Sequence, residues 1–162
     1  MKIKCSLSAG SIRAAAQQLE RYAQSLTRKS ESLVRTLGEK GVEYANEYLE
    51  HDDTGETRGS IQYTHEGQRG TISVGGAAVW IEFGTGVLAN AGNTPHPKRD
   101  EVGAVPWGEY GRGYGKGIWE FPSRKFGWIP TQGIPLNPFM YLSAQALRNE
   151  LSDLAKEAFR DD

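Results

Sequence analysis

From Ser11 onward the apolar positions follow a helical period. Ile12, Leu19, Leu26 and Leu33 fall seven apart, and Ala16, Ala23 and Leu37 lie four beyond members of that series, which gives one apolar face. Ser8 or Ser11 is placed to cap the first N–H groups of this helix. Glycine costs about 1 kcal/mol relative to alanine inside a helix, so Gly38 and Gly41 predict a stop or kink. A second helical piece with Val42, Ala45 and Leu49 follows, and the helical region spans 8–51. Ahead of it, Ile3, Cys5 and Leu7 alternate with Lys2, Lys4 and Ser6, the period of a short strand.

Residues 58–84 change to shorter periods. Ile61, Tyr63 and His65 share one face and Ile72 and Val74 another, while Gly67-Gln68-Arg69-Gly70 between them tolerates a tight turn, so a β-hairpin is expected. The following run, residues 77–83, is ambiguous. Val79, Ile81 and Phe83 suit a strand, whereas Ala77, Trp80 and Ile81 suit one helical turn. At the far end Asn137-Pro138 reads as N-cap and first helical position. Met140, Ala144, Leu147, Leu151, Leu154 and Ala158 then form one face of a C-terminal helix over 137–160.

Glycine content separates the middle of the chain from its ends. Residues 86–136 hold ten of the 20 glycines, six of the seven prolines and three of the four tryptophans. Such composition usually means a linker, but a linker carries few aromatics. Here Trp107, Tyr110, Tyr114, Trp119, Phe121, Phe126 and Trp128 crowd together, which predicts a long inserted loop that a subunit or partner covers. The whole reads as a single α+β domain over 1–162: a small, mostly antiparallel sheet packed with a long N-terminal helix and a C-terminal helix, with the loop inserted between them.

Charge and cysteine content narrow the function. Nineteen basic residues against 20 acidic ones give a net charge of −1, which disfavours a nucleic-acid binder that works by releasing phosphate counterions. A lone Cys5 forms no intramolecular disulfide. The opening MKIKCSLSAG lacks the apolar core of a signal peptide, and no apolar run reaches membrane-spanning length, so a cytoplasmic site of synthesis and no membrane are expected.

Candidate chemistry is sparse. The run from Gly111 to Gly117 is glycine-rich and basic but matches neither phosphate-binding pattern. His51, Asp52 and Asp53 lack a second ligand cluster and read as a solvated helix end. His65 and Glu66 project to opposite faces of a strand. His96, between Pro95 and Pro97, reads as an exposed loop residue. Glu82, flanked by Ile81 and Phe83, reads as outward-facing, or as meeting a basic residue of another subunit. No catalytic residue, metal site or cofactor is expected.

The order of these pieces is informative where single motifs are not. A segment Thr54-Gly55-x-x-x-Gly59-Ser60-Ile61 and a hairpin ending near Val74-Gly75 come first. Ile81-Glu82-Phe83-Gly84-Thr85-Gly86 follows, then the aromatic insertion, then Pro138-Phe139-Met140 before the last helix. The chain resembles the head–tail joining, or minor tail-component, proteins of long-tailed phages, the gene-ten-product-like family of lambdoid prophages. It departs from their pattern at Ala77, where a tyrosine is usual, and at Arg58-Gly59, where leucine is common.

The resemblance implies a structural protein of the virion tail or neck, assembled in the bacterial cytoplasm. Such a protein forms a homo-oligomeric ring, meets the phage connector and the tail terminator or tail tube proteins, and lets DNA pass without sequence-specific binding. Two alternatives stand beside it. One is a single-stranded nucleic-acid or protein binding module that uses the aromatic loop with Arg112, Lys116, Arg124 and Lys125. The other is a small enzyme whose loop is a lid beside Glu109, Glu120, Arg124 and Lys125.

Overall fold

A computed structural model of the chain describes residues 6–86, 88, 96–98, 112–113, 119–123 and 125–160. The fold is α+β. Helix α1 (Ala9–Tyr48) is followed by a single turn α2 (Glu56–Gly59), the hairpin β1 (Gln62–Glu66) and β2 (Arg69–Ser73), and the short helix α3 (Ala78–Phe83). Strands β3 (Arg112–Gly113), β4 (Trp119–Ser123) and β5 (Gly127–Thr131) then form a second antiparallel sheet, and helix α4 (Phe139–Ala158) ends the chain.

Helix α1 does not stop at its glycines. It begins with the Ser8 hydroxyl accepting the Ser11 N–H and continues through Gly38 and Gly41 to Tyr48. The reason lies in the hairpin. Tyr63 and Ile72 are cross-strand partners, and both side chains press onto α1. A Cβ on Gly38 would fall inside the Tyr63 ring, and one on Gly41 would meet Ile72 and Leu147. Each glycine sacrifices about 1 kcal/mol of helix propensity. Burying a large apolar side chain returns roughly 1.5–3 kcal/mol, so the contact decides the outcome. The Tyr63 hydroxyl also donates to the Val34 carbonyl at 3.1 Å.

The core sits where the far end of α1 meets α3 and the start of α4. Ala45, Leu49, Ile61, Ala78, Ile81 and Phe139 are buried there, with Val42, Tyr48, Ile72, Val74 and Met140 packed around them. Helix α4 runs antiparallel to α1, and Lys40 and Tyr44 of α1 both donate to the Glu150 carboxylate of α4. Of the apolar face expected for α4, Met140 and Leu147 do pack inward, but the match is partial. Leu151 is 44% exposed, whereas Ser143 is buried and satisfies its hydroxyl by donating to the Phe139 carbonyl at 2.6 Å.

The 86–136 segment is not all loop. Strand β4 pairs with β5 from Trp119↔Thr131 to Ser123↔Gly127, and with β3 through Arg112↔Glu120 and Gly113↔Trp119. Pro122 and Pro130 stand inside this ladder, and proline in a run normally argues against a strand. Of the strand expected over residues 1–7, residues 1–5 lie outside the described residues, and Ser6 and Leu7 are not in a strand.

Candidate functional site

Glu82 is a buried carboxylate with three hydrogen-bond partners. On the short helix α3, Ala78, Ile81 and Glu82 occupy positions i, i+3 and i+4 and therefore share the face turned to the core. Glu82 is 7% exposed, while Val79 on the opposite face is 48% exposed. The outward orientation expected for Glu82 is thus incorrect. A carboxylate with apolar neighbours either faces water or needs partners, and on α3 Glu82 takes the second course.

Buried carboxylates need partners, and three N–H groups supply them. Glu82 Oε2 accepts the Met140 N–H at 2.8 Å, and Oε1 accepts the Tyr141 N–H at 3.0 Å. These are two of the orphan donors at the first turn of α4, where the helix dipole also favours a negative charge. The third is His96, whose Nε2 lies 2.9 Å from Glu82 Oε1. His96 Nδ1 accepts the Lys98 backbone N–H at 3.0 Å, so Nδ1 carries no proton and Nε2–H is the donor to Glu82.

His96 is 5% exposed, in contrast to the exposed loop position expected for it. Its ring packs 4.3 Å from the Phe83 centroid and 5.5 Å, edge-on, from that of Tyr141. Because Pro95 and Pro97 look like loop punctuation, local sequence gives no sign of this burial. The signal is the unpaired Glu82, and only the tertiary fold reveals which donor reaches it.

Asn137 has a different task from the one expected. The first turn of α4 is capped by Glu82, and the Asn137 side chain turns to the end of α1. Its Oδ1 accepts the Glu50 N–H at 2.9 Å and its Nδ2 donates to the Tyr48 carbonyl at 3.0 Å, while its own backbone N–H donates to the Ile81 carbonyl. One residue thereby ties together α1, α3 and α4. Arg58 reinforces the same end of α1, donating through Nη1 to the Asn46 carbonyl and through Nη2 to that of Leu49 at 2.7 Å.

The Gly84-Thr85-Gly86 run leaves this cluster through a backbone clasp. Thr85 N–H donates to the Ile134 carbonyl at 2.9 Å, and the Thr85 hydroxyl accepts the Ile134 N–H at 2.9 Å. Gly84 and Gly86 both have φ of 66°, and Gly133 has φ of 105°. A Cβ on Gly86 would strike the Gln132 carbonyl, and one on Gly133 would strike that of Thr85, so the two segments touch backbone to backbone.

Chemically, this arrangement positions chain segments. Both oxygens of Glu82 and both ring nitrogens of His96 are engaged, so the pair resembles a structural fastening more than a poised acid and base. Asp52 is likewise committed, accepting the Thr57 and Arg58 N–H groups at 3.2 and 2.8 Å. Among the described residues no group of three or more His, Cys, Asp or Glu side chains is placed to hold a metal ion, and no helix is long and apolar enough to cross a membrane.

The seven aromatics expected to form an interface divide by position. Trp107, Tyr110 and Tyr114 lie outside the described residues, and Trp119 and Phe121 are placed as backbone positions of β4. Phe126, in the β4–β5 turn, is 70% exposed with Lys125 Nζ 5.0 Å from its ring centroid, and Trp128 on β5 is 41% exposed. Arg124, Glu109 and Lys116 also lie outside the described residues. No family model, curated protein or solved structure matches the chain.

Proposed function

We propose that this protein is a structural component of a tailed phage or prophage particle, a head–tail joining or tail completion protein that forms a ring at the neck or tail top. Its partners in that role are further copies of itself, the connector, and the tail terminator or tail tube proteins, with DNA passing through unread. The observation that carries the reading is the union of two short motifs. Ile81-Glu82-Phe83-Gly84-Thr85-Gly86 and Pro138-Phe139-Met140 are the segments on which the likeness to head–tail joining proteins rests, and they meet in one set of bonds around Glu82. Residues that are linked in this way belong to one structural device, and coincidental short motifs need not touch.

The engagement of Glu82 and His96 also favours an architectural role over an enzymatic one. The test is removal of the coding sequence from its phage or prophage, followed by electron microscopy of the lysate. Accumulation of DNA-filled heads and separate tails, reversed by supplying the protein in trans, is the expected result. Normal joined particles without the protein would overturn the reading.

A further inference from the structure

Helix α1 is 40 residues long, about 60 Å at 1.5 Å per residue, and α4 covers only its second half. Lys40 and Tyr44 of α1 bond to Glu150, and Lys29 donates to the Arg160 carbonyl, so α4 runs antiparallel along α1 and ends beside Lys29. Residues 9–28 project past that point as an arm. Ile12, Leu19 and Leu26 on the arm are 52%, 56% and 37% exposed.

The arm carries a heptad seam made of two rows of unlike size. Ile12, Leu19 and Leu26 recur every seven residues, and Ala9, Ala16 and Ala23, all exposed, stand three residues before each of them. Neither row holds a charge in the arm, and Arg21 and Arg28 lie on the opposite side of the helix. Lys40 and Tyr44 fall in the same two rows further along, so α4 lies on this seam and the arm is where its cover stops.

We propose that the uncovered seam is filled by the arm of a second copy of this chain, laid antiparallel. With Ala9 facing Leu26 of the second copy, Ile12 faces Ala23 and Ala16 faces Leu19, and the two-fold axis repeats each contact. Every large side chain then meets an alanine, the alternation that fills facing layers without voids. Parallel arms would set alanine on alanine and leave gaps. The fixed length of the arm selects the alignment: one heptad deeper, the incoming tip runs into the end of α4 beside Lys29, and one heptad shallower, Leu26 stays uncovered. In the chosen alignment the second arm continues the line of α4 in the same direction and begins where α4 ends. The contact joins like surfaces and pairs copies two by two, so it goes beyond the ring reading, which needs a contact between unlike ones.

The experiment uses the purified full chain with its one cysteine removed by Cys5→Ser, carrying either Ala9→Cys or Leu26→Cys, and a short bis-maleimide as cross-linker. A mixture of the two variants is expected to give a cross-linked dimer, and neither variant alone, because like positions lie about 25 Å apart along antiparallel arms. Cross-linking within each variant alone, or none in the mixture, overturns the proposal. Sedimentation velocity on the unmodified chain is expected to show a concentration-dependent dimer, which Leu19→Asp weakens about 100-fold or more because the two-fold counts it twice. Urea unfolding checks that the body is intact in that variant. A wild type that stays monomeric, or a dimer indifferent to Leu19→Asp, also overturns the proposal. The joining of heads to tails is read separately in lysates, so failure of the arm contact and failure of the phage role are distinguishable.

Discussion

The Tyr63 ring occupies the space that a side chain on Gly38 would fill, and its hydroxyl bonds to the Val34 carbonyl one turn earlier. Helix propensity and packing therefore pull in opposite directions at this position. Gly38→Ala gains about 1 kcal/mol of intrinsic helix stability but drives a methyl into the ring, and overpacking costs about 1–3 kcal/mol. A net loss is expected for Gly38→Ala, and a similar one for Gly41→Ala beneath Ile72. Urea denaturation measures the sign, and stabilisation by either variant would show that the hairpin yields readily.

At Glu82 the expected effect is larger. Hydrogen bonds to a charged group contribute about 1.5–3 kcal/mol, and truncation also strands buried donors. Glu82→Ala should lose about 3 kcal/mol or more, with hydrogen exchange rising first at the Met140 and Tyr141 amides. Glu82→Gln keeps the shape but turns an amide group toward N–H donors, so it should recover only part of that loss. Full recovery would mean that the negative charge contributes nothing to the cap.

Asn137→Ala should lower stability by about 1–2 kcal/mol, because two bonds to the end of α1 disappear together. Exchange should rise at the Glu50 amide, while that of Met140, bonded to Glu82, should change less. An equal rise at both would mean that Asn137 holds α4 as the sequence pattern suggested.

The contact between α1 and α4 predicts a pH profile. The Tyr44 hydroxyl first, and Lys40 second, hold the Glu150 carboxyl below its ordinary value of 4.5. The Glu150 carboxylate in turn raises Lys40 above 10.5 and Tyr44 above 10.0. A depressed carboxyl contributes stability that is present above its unfolded value and lost as the pH falls through its folded one. Raised Lys40 and Tyr44 contribute stability that is present below their unfolded values and lost as the pH rises through the folded ones. Glu150→Gln should therefore differ most from wild type between about pH 5 and pH 10 and converge with it at both extremes. A constant difference across pH would rule out the ionic origin.

Much of the fold was legible because helical periodicity is long-range in sequence. Ile12 to Leu37 and Met140 to Ala158 both announce helices, and the two alternating runs around Gly67-Gln68-Arg69-Gly70 announce the hairpin. What sequence could not supply was the tertiary partner. Gly38 and Gly41 read as breakers until the hairpin side chains are placed on them. Glu82 read as outward because its sequence neighbours are apolar and its three N–H partners come from residues 14 to 59 positions away. His96 carried no local sign of its burial, and Pro122 and Pro130 argued against strands that form in spite of them.

The clasp between Thr85-Gly86 and Gln132-Gly133 has a consequence for how such a chain can change over time. It brings the two ends of the insertion together and fastens them by two Thr85–Ile134 bonds, one backbone to backbone and one through the Thr85 hydroxyl. The cost of closing a chain segment grows only with the logarithm of its length, so fixing both ends at the clasp costs little whatever number of residues separates them. The clasp works as a fixed socket: the body stays constant while the element plugged into it is free to diversify with whatever neighbour it meets.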